Sequence, residues 1–389
     1  DSDGDGFTDD DEVNLYSTSP IDATDSPQVD FSDTVDAQIG ESSGLDSVEN
    51  NLALWLDASS IDRLDNSSIA DGDAIDEWLD LSENQYHAIQ ETTDHQAIYS
   101  ETEGGLYFEK YNDVGEDAAD YYSINTNITS GTSFTIFAVE KRAKEDTTTN
   151  YFMGQIGTNS TSQKFHYGYR SDTVFTNAFY SNDTNYDVEG YGNTNLSVGR
   201  YTLDGARELF FNGEEKTAGS GSQMTNYGDN LISGTSTGST TYGRYNGHIK
   251  ELIVFQSVLT DDEIVKVSYY LSKKWGLTAT VDSDGDGFVD LAEETAGTIV
   301  TDANSYPTLP DFSDDVDAQI GESSGLDSVE GNLALWLDAS NIDLIDNSTV
   351  SNGDGVSAWL DLSGNEYHAI QETTDHQAIY SETEGGLYF

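Results

Sequence analysis

Short β-type runs broken by Gly, Asn, Asp and Ser dominate the chain. Leu52–Leu56 (LALWL) reads as a buried strand, and Ser133–Val139 (SFTIFAV), apolar on both faces, predicts a central one. Phe165, Tyr167 and Tyr169 alternate with polar or small neighbours, the pattern of a half-buried strand. Leu196–Leu203, Asp204-Gly205, Arg207–Phe211 and Asn212-Gly213 predict two successive hairpin turns, because DG and NG supply positive φ angles. His248–Phe255 is the last strong strand. One helix stands out: Thr260 and Glu263 form a capping box, Ile264, Val267 and Leu271 share a face with Trp275, and Gly276 supplies the stop. Many strands and one C-terminal helix predict an all-β antiparallel sandwich.

The pattern also repeats. The run DSDGDGF at Asp1 recurs at Asp282, residues 1–108 match 282–389 without a gap, and 23 positions (Tyr86–Phe108 against Tyr367–Phe389) are identical. Such a period predicts a longer tandem array, an architecture suited to reach rather than turnover. All four prolines, Pro20, Pro27, Pro307 and Pro310, fall in the segments after the two DSDGDGF runs, and proline avoids sheet interiors. The expected organisation is a linker at 1–48, a large β domain at 49–278, a second linker at 279–329 and the start of a second domain at 330–389.

Charge changes the picture. The chain carries 73 acidic and 15 basic residues, a net charge of −58, which repels phosphate backbones and argues against nucleic acid as a partner. Self-repulsion on this scale strains a compact fold unless cations offset it, and divalent metal is the natural candidate. Aromatic residues make up 11 % of the chain, with 23 Tyr, which argues against disorder. There is no cysteine, and no apolar run of about 18 residues that would predict a membrane-spanning helix.

The carboxylates have a spacing. Residues 1–12, DSDGDGFTDDDE, follow an EF-hand loop: Asp1, Asp3 and Asp5 as carboxylate ligands, Gly6 for the sharp turn, the Phe7 carbonyl, Asp9 directly or through water, and Glu12 closing the site. The second copy supplies Asp282, Asp284, Asp286, Gly287, Phe288, Asp290 and Glu293. Hard oxygen ligands in this number suit Ca²⁺ better than Mg²⁺. An acidic solvated turn is the plain alternative, and two complete loops weigh against it. These segments resemble bacterial thrombospondin type 3 repeats, in which such a loop precedes a Gly-Thr-Asp-Pro-like stretch; here the tails read STSPIDATDSP and GTIVTDANSYP. Asp22 and Asp25, or Asp302 and Asn304, are further ligand candidates, although the second tail lacks a proline at the place of Pro20. Without metal the carboxylates repel one another, so calcium is expected to stiffen the joint. Extracellular modules of this type bind with Kd of roughly 10⁻⁴–10⁻³ M, which only outside concentrations fill, so an extracellular, bacterial cell-surface location is expected.

Near its start the large domain reads NLALWLDASSIDRLDNSS and IDEWLDLSENQYHAIQ; near its end it reads YGRYNGHIKELIVFQSVLTDDEIVKVSYYLSKKWGL. Together with the ELFFNGEE hairpin this resembles the laminin-G-like, concanavalin-A-like jelly roll of bacterial surface proteins. The resemblance implies two antiparallel sheets with a closing helix, places Trp55, Trp78 and Trp275 in the core, and implies no single function. Strung in tandem, such domains are similar to giant bacterial surface-fibre proteins, including grappling-hook-like appendages. No carboxylate run of the ExDxxE kind, HExxH or nucleophile elbow accompanies His87, His95, His166 or His248, so no catalysis is expected, and His87 in NQYHAIQ reads as a packed structural residue. The leading expectation is a repeat unit of a calcium-stiffened fibre or adhesin stalk that self-associates into a filament and mediates surface or cell–cell attachment. The alternative is a glycan-binding adhesin repeat, with Tyr167, Tyr169, Tyr180, Tyr186 and Tyr191 stacking on sugars; the simpler and favoured reading of these tyrosines is that they line a sandwich core or rim. A cell-surface glycan or protein is the expected partner, and an extra calcium at Asp57 or Asp80 has no support from spacing.

Overall fold

The computed structural model describes residues 2, 13, 19–22, 30–63, 66–110, 119–143, 148–188, 191–225, 228–238, 241–307, 311–342, 347, 350–365, 367–371, 373 and 376–389. Two compact units emerge: Asp1–Thr194, Val198–Leu209 and Thr217–Leu259 form the first, and Asn195–Ser197, Phe210–Lys216 and Thr260–Phe389 the second. Among the described residues no helix is long and apolar enough to cross a membrane.

Ahead of the sheets come α1 (Phe31–Ile39) and α2 (Asp46–Glu49). The strands that follow are β1 (Leu52–Asp57), β2 (Glu77–Trp78), β3 (Ala88–Ile89), β4 (Ile98–Ser100), β5 (Gly105–Phe108), β6 (Tyr122–Ser123), β7 (Phe134–Arg142), β8 (Asn150–Gln155) and β9 (Phe165–Ser171). Then come β10 (Val174–Phe179), β11 (Asp183–Asp187), β12 (Thr194–Tyr201), β13 (Ala206–Phe211), β14 (Glu214–Ser220), β15 (Asn230–Ile232), β16 (Thr235–Ser236), β17 (Thr241–Tyr242) and β18 (Gly247–Phe255). One eight-stranded sheet runs β14-β13-β12-β7-β18-β5-β4, with β1 also paired to β18; the other runs β11-β10-β9-β8-β15-β6-β3-β2. The ladders of β18 with β1, β5 and β7, and of β9 with β8 and β10, are antiparallel. The fold is a β-sheet sandwich with few helices.

Aromatic rings fill the space between the sheets. Phe134 meets Phe165 at 5.3 Å, Phe108 meets Tyr122 at 5.7 Å and Tyr201 meets Phe179 at 4.8 Å, each pair bridging the two sheets edge to face. β7 is central, as its two apolar faces predict. β9 differs from expectation: Phe165 to Tyr169 are buried on both faces, because strands flank β9 and the Tyr151 ring covers His166 at 4.7 Å. Tyr167 and Tyr169 therefore belong to the core, whereas Tyr191 is exposed and Tyr180 and Tyr186 are half-buried. Trp55 and Trp78 are buried as expected, and Trp275 is half-buried.

α1 lies within residues 1–48, where proline spacing predicts a linker. Asp30 caps it through a side-chain bond from Asp33 N, and Phe31 is buried against Trp55 at 4.9 Å and Phe255 at 5.5 Å. Residues 30–49 thus pack on the sandwich, which proline placement alone could not report.

In the second unit the helix predicted after the strands is α3 (Asp261–Lys274), with both halves of the Thr260–Glu263 capping box formed. α4 (Asp290–Ala296) and α5 (Phe312–Ile320) follow, then β19 (Gly355–Val356), β20 (Ala358–Trp359), β21 (Ala369–Ile370), β22 (Ala378–Ser381) and β23 (Gly386–Tyr388). These strands form two small sheets, β19-β22-β23 and β20-β21.

Candidate metal centre

The first acidic loop, Asp1, Asp3, Asp5, Phe7, Asp9 and Glu12, lies outside the described residues. The second is described in full. It leaves α3 through a turn in which Thr280 N–H and Val281 N–H donate to Leu277 O, and it re-enters helix at α4. Gly285 and Gly287 sit at φ +73° and +101°, angles that let the chain curl back on its own carboxylates. Asp282 Oδ1 accepts from Gly285 N (2.8 Å) and Oδ2 from Gly287 N (2.9 Å). Asp284 Oδ1 accepts from Asp286 N at 3.2 Å, and Asp286 Oδ1 from Phe288 N at 2.8 Å.

The loop gathers ligand atoms. Carboxylate oxygens of Asp282, Asp284 and Asp286 all lie within 4.8 Å of one another. Asp284 Oδ2, Asp286 Oδ2 and Glu293 Oε2 are buried and have no hydrogen-bond partner. A buried carboxylate oxygen left unpaired is costly, and here Asp284 and Asp286 bring two into one cluster with Asp282, while Glu293, outside that cluster, adds a third under their like charge. The protonation behaviour follows. Burial, reinforced by Asp284, Asp286 and Asp290, pushes Glu293 up to about 9. Burial and the neighbouring Asp286 and Asp282 push Asp284 up to about 7. Asp282 rises to about 6, because burial outweighs the two glycine N–H bonds. A cation would offset both the desolvation and the repulsion. Every available donor is a hard oxygen, which fits Ca²⁺ and not a thiolate- or imidazole-seeking metal.

Asp290 stands apart. Its Oδ1 accepts from Ser283 N at 2.8 Å and its Oδ2 from Ser283 Oγ at 3.0 Å, so it ties the loop's start to the first turn of α4. Phe288 stacks on Tyr306 at 6.3 Å and packs with Val289, Ala292, Ala358 and Leu360. Among the supplementary candidates, Asp302 is exposed and accepts from Asn304 N and Nδ2 at 3.1 and 3.0 Å. Asp80 Oδ1 accepts from Trp55 N and Ser82 N, and Oδ2 from Ser82 Oγ and Tyr86 N, while Asp57 Oδ1 accepts from Ser59 N and Oγ. His87 is structural: its Nδ1 accepts from Asp80 N at 3.0 Å, and burial first, with Arg63 second, lowers it to about 4.

Sequence reasoning missed the seat of the loop. The Asn212-Gly213 turn, read only as a hairpin signal, abuts Asp282, whose N–H donates to Asn212 O at 3.2 Å. Gly213, at φ +91°, comes so close that a Cβ would stand 1.7 Å from Asp282 O. Beyond the loop, α3 is tied to later residues by Tyr269 Oη donating to Glu294 Oε1 (2.7 Å) and Lys266 Nζ to Thr301 Oγ1 (2.9 Å). An open cleft of about 540 Å³ flanks the site, and Glu214, Glu215 and Asp261 line it together with Asp282 and Asp284. These acids deepen the negative potential that draws cations.

No family model matches the chain, and no curated protein matches it. Solved structures similar to it include one of botulinum neurotoxin type C, whose cell entry is described as dependent upon interaction with two ganglioside molecules (TM-score 0.40, 14 % identity, 58 % of this chain and 52 % of that one). Another is the binding domain of botulinum neurotoxin DC in complex with rat synaptotagmin II (TM-score 0.38, 14 % identity, 58 % and 52 %). A third is the CBM40 of the Ruminococcus gnavus IT-sialidase bound to alpha2,3 sialyllactose (TM-score 0.32, 15 % identity, 51 % and 96 %). The chain spans about half the length of the toxin structures it matches. At these TM-scores the likenesses assign this chain neither a ligand nor a role.

Proposed function

We propose that the chain is a structural repeat unit of a calcium-stiffened extracellular fibre or adhesin stalk, with Ca²⁺ held at each DSDGDGF junction. Asp282, Asp284, Asp286 and Glu293 would supply the carboxylates, with Phe288 at the carbonyl position of the loop and Asp290 fixing the loop's closure through Ser283. Asp1, Asp3, Asp5, Phe7, Asp9 and Glu12 are the counterparts at the first junction. The observation that carries this reading is the cluster of Asp282, Asp284 and Asp286 carboxylates, two of whose oxygens, on Asp284 and Asp286, are buried and unpartnered, with a third such oxygen on Glu293. The bound ion neutralises charge that otherwise drives the loop open. It thereby fixes the loop to the Asn212-Gly213 turn and the end of α3. An affinity in the roughly millimolar range of extracellular modules would be filled only outside the cell, which supports an extracellular array. On this reading the domains at 49–278 and from 330 onward are spacers, the partner is a cell surface or a second fibre, and no reaction is catalysed.

The test is calorimetric titration of the chain with CaCl₂, paired with small-angle scattering before and after EGTA, on the wild type and on Asp284→Asn with Glu293→Gln. Two or more sites in the wild type, one fewer in the double variant, and a shape change on chelation are expected. No heat up to about 10 mM Ca²⁺, well above the extracellular range, would refute the reading. The glycan-binding alternative now rests on Tyr180, Tyr186 and Tyr191, since Tyr167 and Tyr169 are buried. Retention of the chain on a glycan array, lost with alanine at those three positions, would establish it instead.

A further inference from the structure

The carboxylate cluster is open on one side. Asp282 and Asp284 line the cleft of about 540 Å³, and Asp286 and Glu293 are not among its walls. The loop oxygens without a hydrogen-bond partner are Asp284 Oδ2, Asp286 Oδ2 and Glu293 Oε2, and Glu293 is 0 % exposed. Both Asp282 oxygens accept from glycine N–H groups. Asp290, whose position in such loops often meets the ion through water, has both oxygens engaged by Ser283, itself a wall of the cleft. Ca²⁺ takes about six to eight oxygens. The cleft is therefore the side on which the loop is least furnished, and a water or a further carboxylate must complete the shell there.

Glu214 borders that opening from the hairpin. It directly follows Gly213, the residue that presses on the Asp282 backbone. Its charge reaches the cluster: after burial and Asp286, Glu214 adds to what opposes ionisation of Asp282. At the start of β14 side chains alternate, so Glu214 and Lys216 share one half-buried face, while Glu215, on the other, is exposed. Lys216 Nζ donates to Glu214 Oε2. The Glu214 side chain in this pair is 46 % exposed, and such a surface pair is worth at most about 1 kcal/mol. A divalent ion that prefers hard carboxylate oxygens outbids an ammonium of this kind at little cost.

We propose that Glu214, outside the twelve-residue loop, is a further ligand of the Ca²⁺ at Asp282, Asp284 and Asp286, and that it leaves Lys216 to bind the ion. The inference rests on the calcium reading of the loop and adds to it a residue that the loop spacing does not contain. An ion held by Glu214 as well as by the loop clamps the hairpin turn to the loop through the metal itself. Calcium affinity then depends on the seat of the turn, and the seat of the turn depends on calcium by the same factor.

The test uses the full chain with its first loop silenced by Asp3→Asn and Asp5→Asn, and compares Glu214→Ala with Glu215→Ala. The two changes remove the same charge from the same cleft, and both lie on the edge strand β14, where the fold carries either. Calorimetry measures Ca²⁺ affinity, and Tb³⁺ luminescence lifetimes in H₂O and D₂O count the waters on an ion bound in place of Ca²⁺. Glu214→Ala should raise the water count by about one or two and weaken Ca²⁺ by more than about tenfold. Glu215→Ala, acting only through its field, should leave the water count unchanged and weaken Ca²⁺ by no more than about fivefold. An unchanged water count in Glu214→Ala, or equal losses of affinity in the two variants, would overturn the proposal while leaving the calcium loop intact. A parent chain that binds neither ion would overturn the calcium reading and this inference together, so the two failures are distinguishable.

Discussion

Alanine at Gly213 separates a seated metal loop from a merely adjacent one. Gly213 sits at φ +91°, where an L-residue costs about 1–2 kcal/mol. Gly276, just past α3, sits at φ +68° with nothing within 4 Å, so Gly276→Ala carries that conformational term alone. At Gly213 the added Cβ would lie 1.7 Å from Asp282 O and 2.4 Å from Asp282 C, both backbone atoms that cannot swing aside. Turn and loop must part, and the Asp282 N–H bond to Asn212 O goes with them, a further loss of about 0.5–1.5 kcal/mol. The total is about 1.5–3.5 kcal/mol, of which about 0.5–1.5 kcal/mol belongs to the loop's seat rather than to φ. If Asp282 is a ligand that the turn holds in place, calcium affinity in Gly213→Ala falls about 2–13-fold below that of Gly276→Ala. Calorimetric titration of the two variants side by side reads this directly. Equal affinities would refute the coupling of turn to loop, whatever the two variants do to thermal stability.

Three other outcomes follow from buried polar groups in the first unit. Asn177 is fully buried with neither amide atom hydrogen-bonded, so Asn177→Leu should raise stability to urea by about 1–3 kcal/mol; a loss would show that the amide has a partner within the sandwich. Asp80 is fully buried and accepts four hydrogen bonds, so Asp80→Ala should cost about 3–5 kcal/mol by denaturant titration, and a cost below about 1 kcal/mol would remove its role as a hub. Burial lowers His166 to about 3 from an ordinary value near 6.5. Between these values the unfolded chain holds a proton that the native state does not, so this contribution is complete above pH 6.5 and is lost as pH falls toward 3. His166→Gln should therefore flatten the acid limb of the stability curve relative to wild type, and identical slopes from pH 6.5 down to 4 would refute the burial argument.

What was legible in the sequence was what neighbouring residues decide among themselves. The Thr260–Glu263 box, the Asn212-Gly213 turn and the two-faced β7 run each depend on a few adjacent side chains, and each is found. The carboxylate spacing was equally local, and it foretold that Asp282, Asp284 and Asp286 would converge. What the sequence hid was set by partners far away. α1 was obscured because a nine-residue helix gains its stability from Phe31 meeting Trp55 and Phe255, not from propensity. Tyr167 and Tyr169 alternate like a half-exposed strand, but strands on both sides and the cover over His166 bury them.

The repeat separates these two kinds of information within one molecule. Around Asp361 the second copy rebuilds the Asp80 hub bond for bond: Trp336 N at 2.8 Å, Ser363 N at 2.9 Å, Ser363 Oγ at 2.7 Å and Tyr367 N at 3.1 Å, with Asp361 N donating to His368 Nδ1 at 2.9 Å. None of these bonds requires β18, so the hub is written in about thirty residues of local sequence. The β1 ladder is long-range instead: Leu52–Asp57 pairs with β18, about 196 residues further along the chain. The surroundings also reverse the electrostatics of the same hydrogen bonds. Burial holds Asp80 above the usual carboxylate range despite four donors; with less protein packed around Asp361, burial still opposes its charge but the donors prevail and hold it below that range. Local sequence thus builds the hub, while the surroundings of that hub set the charge of its carboxylate.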